Sequence, residues 1–297
     1  MRGWRSYLLF AALCAGACIR SEPSPTPSAP TPTPPPARVV RDLPYAPVDA
    51  GSQSLDVYIP GSDNPPYPII LAIHGAGGDK TYWSEKANGW SANGYAVIAM
   101  NYRELPQHSY PASAEDAFCA LAWIHSLSAA YGLDPGRIVA VGYSEGATLA
   151  SLLGAVDRPG LFMQGCPSTL PEATRLEGVV GISGLYDTLL AAESSTVWHD
   201  YLVAYFGAEP EDAPDMWSQA SPSWWVGGGE PPFLLVHGQA DQRSDPNQAE
   251  DLARTLEGAG VEVRLLLLAD VDHETILVDP QAWEAIDLFI ATILAPS

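Results

Sequence analysis

The stretch Gly142-Tyr143-Ser144-Glu145-Gly146 follows the pattern Gly-x-Ser-x-Gly and joins two segments of different character. Residues 138–143 are apolar and rich in β-branched side chains, which predicts a buried parallel strand. Residues 145–156 are small or leucine-rich, which predicts a buried helix. A serine on the tight turn between such a strand and helix has a strained backbone and an exposed hydroxyl, and the glycines avoid clashes within the turn. The pattern alone is common, so its meaning depends on the rest of the chain.

Strands and helices alternate along most of the sequence. Apolar stretches bounded by Pro, Gly and Asn predict strands at residues 55–59, 69–73, 96–100, 179–182, 233–236 and 263–268. Helices are predicted at residues 112–130, 248–257 and 280–294, in addition to the one that follows Ser144. This alternation predicts an α/β fold with a doubly wound, mostly parallel sheet.

An aromatic-rich segment, residues 189–230, interrupts this alternation before the strand at residues 233–236. Seven aromatic side chains lie in it: Trp198, Tyr201, Tyr205, Phe206, Trp217, Trp224 and Trp225. Two interpretations are open. The segment forms a cap over a pocket, or the aromatic side chains pack this insert onto the domain, and we favour packing for most of them.

The composition fits one large domain with an acidic surface. The chain has 297 residues, of which 47% are hydrophobic, and this is enough for a sizeable core. Its formal net charge is -21, from 35 acidic and 14 basic residues. Because phosphate binding needs a basic face, a nucleic acid partner is excluded, and we interpret the charge as favouring solubility. The Cys and His residues lack metal-ligand spacing, so we expect no metal.

The N-terminus has the features of an export signal. Arg2 and Arg5 precede an apolar run at residues 7–13, and small residues at 15–17 lead to Cys18. This order predicts a signal peptide over residues 1–17, too short in its apolar part to span a bilayer stably. Small residues before a cysteine resemble a bacterial lipoprotein cleavage site, so we expect lipidation of Cys18 and attachment to the cell envelope membrane. The alternative is ordinary secretion, with Cys18 inside the discarded peptide.

A linker follows the signal. Residues 18–38 are dominated by Pro, Ser and Thr, which favour extended polyproline geometry and predict a semi-rigid tether. Residues 39–297 are predicted to form the folded domain, including the insert. Cys119 and Cys166 lie in this domain. Because an exported protein enters an oxidising compartment, one interpretation is a disulfide between them. The other is two buried thiols, and the spacing alone leaves both open.

A serine nucleophile needs a base and an acid that orients the base. In a strand–turn–helix arrangement of this kind, the acid and then the histidine follow the serine along the chain. Of the six histidines, only His273 follows the last predicted strand and precedes the last helix. Asp241, in the loop after the strand at residues 233–236, is the best candidate for the acid, with Asp245 and Asp187 as alternatives. The predicted catalytic residues are therefore Ser144, Asp241 and His273.

Acyl transfer also needs N–H donors for the negative oxygen that forms in the transition state. The backbone N–H of Glu145, directly after the serine, is one predicted donor. The strand at residues 69–73 runs into His74-Gly75-Ala76-Gly77-Gly78, a glycine-rich loop in the position where further donors are expected. We predict that the backbone N–H groups of Ala76 and Gly77 complete this oxyanion hole.

The chain resembles the α/β-hydrolase fold and, within it, the esterases of the hormone-sensitive-lipase and feruloyl-esterase-like group. The resemblance extends over nearly all of residues 41–294. It is carried by these strings: Leu55-Asp-Val-Tyr-Ile-Pro60, His74-Gly-Ala-Gly-Gly78, Asn101-Tyr-Arg103, Gly142-Tyr-Ser-Glu-Gly146, Ser183-Gly-Leu-Tyr-Asp187, His237-Gly-Gln-Ala-Asp241 and Asp272-His273. It implies the same triad and oxyanion hole. It also implies that Arg103 and Asp116 form an ion pair beneath the site, whereas a solvated Asp116 is the alternative.

Two positions depart from this resemblance. Ala76 stands where these esterases often have Gly, but its backbone N–H remains. Glu145 stands where they often have Ala. A carboxylate there would raise the pKa of the histidine or favour cationic substrates, unless it points outward and bonds locally.

The expected function is that of a serine hydrolase, a carboxylesterase that cleaves carboxylic esters through an acyl-enzyme and needs no cofactor. Its expected partner is a small-molecule ester. Hydrolysis of amides, peptides or formamides by the same triad is the alternative enzymatic function. An inactive surface binding protein on a hydrolase scaffold is the alternative without catalysis.

Overall fold

The computed structural model describes residues 38–47, 51–62, 64–172 and 174–296. The predicted signal peptide, Cys18 and nearly all of the predicted tether lie outside these residues. The first strand begins at Arg38, one residue before the predicted start of the domain. Among the described residues, no helix is both long and apolar enough to cross a membrane.

Eight strands within the described residues form one sheet. They are β1 (Arg38–Pro44), β2 (Ser54–Ile59), β3 (Tyr67–Ile73), β4 (Ala96–Met100), β5 (Leu133–Tyr143), β6 (Gly178–Ile182), β7 (Phe233–Gly238) and β8 (Val263–Leu268). Seven of the eight cover the predicted strands, with ends that differ by a few residues. The strand β1 was not predicted from the sequence.

The sheet is mostly parallel, as predicted. Its strand order is β1-β2-β4-β3-β5-β6-β7-β8. The strands from β4 to β8 in this order are parallel, whereas β2 is antiparallel to both β1 and β4. Because parallel strands end at the same edge, the loops that follow β3, β5, β7 and β8 meet at one side of the sheet.

The α-helices in the described part of the chain lie on both faces of the sheet and in the insert. They are α1 (Ser84–Ala92), α2 (Ala112–Tyr131), α3 (Glu145–Ala155), α4 (Thr188–Ser194), α5 (Thr196–Phe206), α6 (Pro214–Gln219), α7 (Pro222–Trp225), α8 (Asn247–Gly258) and α9 (Pro280–Ile293). Apolar residues of α2, α3 and α8 form the core on one face, and those of α1 and α9 form the core on the other. This is the doubly wound arrangement that the sequence predicted.

The predicted insert consists of the four helices α4 to α7 between β6 and β7. Its aromatic side chains have different surroundings, and Trp198 and Tyr205 both pack against the insert's apolar cluster and face the cavity. Phe206 and Trp217 pack inside a small apolar cluster of the insert itself, and Trp225 packs into the core beneath α3 and α8. Trp198, Tyr201 and Tyr205 instead line the cavity described below. Packing therefore explains part of the set and a cavity wall another part, whereas Trp224 is mostly exposed and belongs to neither.

A disulfide joins Cys119 of α2 to Cys166. The Cα atoms are 5.1 Å apart, and the bridge closes a loop across 47 residues. This loop contains β5 and α3, so the bridge covalently ties the segment after α3 back to α2. The sequence alone was compatible with either a disulfide or two free thiols at these two positions.

Candidate active site

Ser144 lies on a strained turn between β5 and α3. Its φ of 54° and ψ of -122° are unusual for a residue with a side chain. The turn requires glycine on both sides of the serine. A Cβ on Gly142 would lie 2.0 Å from the carbonyl oxygen of Gly146, and a Cβ on Gly146 would lie 2.2 Å from that of Ile73. The close approach of these backbones is the physical reason for the Gly-x-Ser-x-Gly pattern.

The structure brings Ser144, His273 and Asp241 into one hydrogen-bonded chain. His273 Nε2 is 3.0 Å from Ser144 Oγ, and His273 Nδ1 is 2.7 Å from Asp241 Oδ2. An ionised carboxylate only accepts hydrogen bonds, so Nδ1 carries the proton and Nε2 is left to accept from the serine hydroxyl. This is the geometry in which an imidazole removes a proton from a serine.

The Asp241 carboxylate is held ionised by its hydrogen bonds. Burial by itself raises the pKa of Asp241, but the hydrogen bonds from His237, His273 and Ser244 outweigh it, and the pKa lies well below its usual range. The backbone N–H groups of Arg243 and Ser244 donate to Oδ1 at 2.8 and 2.9 Å. The loop after β7 thus fixes the orientation of the carboxylate.

His237 is a part of this site that sequence reasoning missed. It is fully buried at the end of β7, with Nε2 2.9 Å from the Ser244 carbonyl oxygen and 3.2 Å from Asp241 Oδ2. Because a carbonyl only accepts, Nε2 carries the proton and is shared between these two oxygens. The order of residues along the chain excluded His237 as the base, but its spacing of four residues from Asp241 was a usable signal for a supporting role.

The two alternative acids have other hydrogen-bond partners. Asp245 Oδ1 accepts from the N–H of Asn247 at the start of α8. Asp187 caps α4 by accepting from the N–H groups of Leu189 and Leu190. Asp187 is thus a helix cap and Asp245 binds a nearby backbone amide, whereas Asp241 alone of the three contacts His273.

The glycine loop after β3 lies against the serine. A Cβ on Gly75 would lie 3.0 Å from Ser144 Cβ, and Ala76 lines the same cavity as Ser144 and Glu145. The Gly77 N–H differs from the prediction, because it donates to Glu104 Oε2 at 2.8 Å. That amide is engaged by a carboxylate, so of the three predicted donors those of Ala76 and Glu145 stay the candidates for an oxyanion hole.

The segment after β4 supports the glycine loop. Tyr102 stacks on His74 and its hydroxyl donates to the His74 carbonyl oxygen at 2.9 Å. Arg103 pairs with the fully buried Asp116 through Nη2 and Oδ1 at 2.8 Å, and its own N–H donates to Oδ2 at 2.8 Å. Asp116 is therefore not solvated, and the ion pair anchors this segment to α2.

A cavity of about 720 Å³ opens over Ser144. One wall comes from the insert, where α5 presents Trp198, Tyr201 and Tyr205. Glu145 also lines the cavity, and burial together with the charge of Glu104 raises its pKa to about 7. Among the described residues, no group of three or more His, Cys, Asp or Glu side chains is arranged to hold a metal ion.

Residues 55–256 match the family model described as BD-FAE. The chain belongs to the BD-FAE family. This BD-FAE protein is 28% identical to esterase LipC of Mycobacterium tuberculosis over 242 residues, which cover 78% of the chain and 59% of LipC. It is 29% identical to ethyl acetate hydrolase of Pseudomonas putida over 253 residues, which cover 79% of the chain and 75% of that enzyme.

The fold of this BD-FAE protein is also that of solved esterase structures. A truncated carbohydrate esterase from gut microbiota superposes with a TM-score of 0.73 at 22% identity, covering 89% of this chain and 98% of the other. The α/β-hydrolase fold expected from the sequence is confirmed. The chain spans about half the length of the first curated relatives that it matches.

Proposed function

We propose that this BD-FAE protein hydrolyses carboxylic esters, with Ser144 as nucleophile, His273 as general base and Asp241 as the acid that orients it. The observation that carries the proposal is the hydrogen-bonded chain from Asp241 through His273 to a serine held on a strained turn. Membership of the family and the esterase relatives support the same reaction class.

The first half of the reaction forms an acyl-enzyme. Ser144 Oγ attacks the ester carbonyl carbon while its proton passes to His273 Nε2. Negative charge moves to the carbonyl oxygen, which accepts from the N–H groups of Ala76 and Glu145. Asp241 stabilises the imidazolium that forms. The intermediate then collapses, the bond to the alcohol oxygen breaks, and His273 returns its proton to the leaving alcohol.

The second half releases the acid. A water molecule attacks the acyl carbon and gives a proton to His273 Nε2, and the same two N–H groups bind the oxyanion. Collapse of this second intermediate breaks the bond to Ser144 Oγ, which takes the proton back. No atom of a cofactor enters either half, because nucleophile, base and oxyanion donors all come from the chain.

The decisive experiment compares Ser144→Ala with the wild type on p-nitrophenyl acetate. Loss of the nucleophile should lower kcat at least about a thousandfold, since removal of a triad member leaves only binding and oxyanion stabilisation. Ser126→Ala is a matched control, because Ser126 Oγ bonds to the Ala122 carbonyl oxygen within α2, outside the cavity. Wild-type rates in Ser144→Ala would refute the assignment.

A substrate panel separates esters from amides. Ester, formamide and dipeptide substrates with matched acyl groups should give the highest kcat/KM for the ester. Faster hydrolysis of the formamide or dipeptide would assign the triad to amide chemistry. Failure of a fluorophosphonate to label Ser144 would support an inactive binding protein instead.

We further propose that the protein is exported and lipidated at Cys18. The support is the order of basic, apolar and small residues before this cysteine, followed by a Pro-rich stretch suited to holding a domain away from a membrane. Metabolic labelling with a palmitate analogue should mark the wild type and not Cys18→Ala. An unlabelled wild-type protein in the culture medium would favour ordinary secretion.

A further inference from the structure

Two carboxylates beside the glycine loop have no part in the proposed mechanism. Glu145, directly after Ser144, lines the cavity, and its carboxylate accepts a hydrogen bond from the Ser113 hydroxyl. Glu104 accepts from the Gly77 N–H, next to Ala76 of the cavity wall, and does not itself line the cavity. The charge of Glu104 helps to raise the pKa of Glu145, so the two groups are electrostatically coupled. At pH 8, where Glu145 is largely ionised, it carries a negative charge beside the cavity, and the charge of Glu104 lies close behind it.

These carboxylates differ from the buried aspartates of the fold. Each buried aspartate in the described part of the chain has a basic partner: Asp56 pairs with Arg41 and Lys80, Asp116 with Arg103, and Asp241 with His237 and His273. By contrast, neither Glu104 nor Glu145 forms an ion pair with a described residue. Both residues are half-buried, and the hydrogen bonds to their carboxylates, from Ser113 and the Gly77 N–H, bring no positive charge, so this region favours a ligand that does.

The arginine of the cavity does not supply that charge. Arg243 lines the opening, but its Nη2 pairs with Glu274 at 3.0 Å and its side chain is 71% exposed. Asp245, also at the opening, adds a further negative charge. The net charge of the whole chain, -21, reinforces the attraction of cations towards the cavity.

Aromatic faces line the same cavity. Trp198, Tyr201 and Tyr205 project from α5, with Trp198 and Tyr201 edge to face and Tyr201 and Tyr205 stacked. Burial raises the pKa of Tyr201 and Tyr205, and the charge of Glu145 raises both further, which shows that the aromatic wall lies within electrostatic reach of Glu145. Aromatic faces next to a carboxylate attract organic ammonium groups, whose methyl or methylene groups contact the rings.

We propose that the cavity selects esters that carry an organic ammonium group, with Glu145 as its counter-charge and Trp198 and Tyr201 as its aromatic contacts. This selectivity rests on the proposed function of Ser144. A neutral polyol would also stack on the rings and donate hydrogen bonds to Glu145, but it would leave the charges of Glu104 and Glu145 uncompensated. The charge balance therefore favours the cation.

The test uses two esters of the same shape. Acetylcholine and 3,3-dimethylbutyl acetate differ in one atom, a quaternary nitrogen against a carbon, so their ratio of kcat/KM isolates the charge. We expect a ratio on the order of tenfold or more in favour of acetylcholine at pH 8, equivalent to about 1.4 kcal/mol. In Glu145→Gln the ratio should fall by about that factor, whatever the change in absolute rate.

Controls separate the local charge from the overall charge. Glu284→Gln removes one exposed carboxylate from α9, which packs on the face of the sheet opposite to α3. This variant should leave the ratio of kcat/KM values for the two esters unchanged. Measurements at about 0.5 M salt suppress long-range steering, since the Debye length is then only a few ångströms. Tyr201→Leu, a change at a partly exposed position on α5, should lower the ratio without removing a charge and covers the case in which Glu145→Gln does not fold.

A second readout does not depend on which half of the ester bears the ammonium group. Tetramethylammonium should inhibit hydrolysis of p-nitrophenyl acetate competitively, with a several-fold higher inhibition constant in Glu145→Gln. Equal inhibition constants, or equal ester ratios in wild type and variant while p-nitrophenyl acetate is hydrolysed, would overturn the selectivity and leave the esterase function standing. Loss of all hydrolysis together with no fluorophosphonate labelling of Ser144 would instead overturn the proposed function.

Discussion

Replacing His237 by Phe tests whether the residue behind Asp241 positions the proposed triad. The carboxylate of Asp241 accepts hydrogen bonds from N–H groups of four residues, His273, His237, Arg243 and Ser244. Phe keeps a buried ring of similar size but removes the shared Nε2–H. The substitution therefore deletes one hydrogen bond to a charged acceptor and leaves the other three in place.

The expected magnitude follows from that contact. A hydrogen bond to a charged group contributes about 1.5–3 kcal/mol. The Nε2–H of His237 is shared with the Ser244 carbonyl oxygen and lies 3.2 Å from Asp241 Oδ2, which favours the lower end of that range. A loss of about 1.5–3 kcal/mol in transition-state stabilisation lowers kcat/KM roughly ten- to 150-fold. The loss should appear in kcat rather than KM, because His237 does not line the cavity.

Three measurements decide the result. Steady-state kinetics on p-nitrophenyl acetate give the loss in kcat, urea unfolding gives the change in stability, and proton NMR reports the His273 Nδ1 proton, whose resonance should move as its acceptor loosens. His125→Phe is the matched control, since His125 is a partly buried histidine on α2 with an unpartnered Nε2 and no contact with the cavity. A kcat within twofold of wild type, or an equal loss in His125→Phe, would refute the reasoning.

The other predictions concern the disulfide, the buried ion pair and the acidic side of the cavity. Replacing both Cys119 and Cys166 by Ser should lower the free energy of unfolding by up to about 4 kcal/mol, the loop-entropy value for a bridge across 47 residues, and an unchanged urea midpoint would contradict it. Asp116→Ala leaves the Arg103 guanidinium without its buried partner and should cost about 3–5 kcal/mol in urea unfolding, whereas a loss below about 1 kcal/mol would show that the pair does not anchor this segment. Folding raises the pKa of Glu145 from 4.5 to about 7, so the folded state loses stability as the pH rises through this interval. Glu145→Gln removes the ionisation and should therefore raise Tm at pH 8 but not at pH 5. An equal shift in Tm at both pH values would contradict the titration.

Local sequence patterns were sufficient for the parts of the fold in which local physics dominates. The apolar runs at β4 and β8 are bounded by polar or turn-forming residues, and both strands have the predicted limits. The turn at Ser144 was predictable for a steric reason, because two glycines are required wherever a strand and a helix approach so closely. By contrast, β1 has a mixed pattern of exposed and half-buried residues at the edge of the sheet, so no clear periodicity marked it.

The insert shows where residue type stops being informative. Tryptophan and tyrosine combine a large apolar surface with a polar group, so the same residue types serve a core and a ligand cavity. Trp217 is completely buried inside the insert, whereas Tyr201 is partly exposed in the cavity wall. Which side chain has which role depends on how α4 to α7 pack over the carboxyl ends of the strands, and this packing is not encoded in a local pattern.

Glu104 illustrates the same limit at the proposed active site. Its contact with the Gly77 N–H joins residues 27 positions apart, from the loop after β4 to the loop after β3. The two strands were predictable one at a time, but their adjacency comes from the crossover in the order β2-β4-β3-β5. Once β4 lies beside β3, their carboxyl-end loops meet, and a carboxylate on one reaches an amide on the other. The oxyanion donors inferred from the glycine loop alone therefore included Gly77, and only the strand order reveals the carboxylate that engages it.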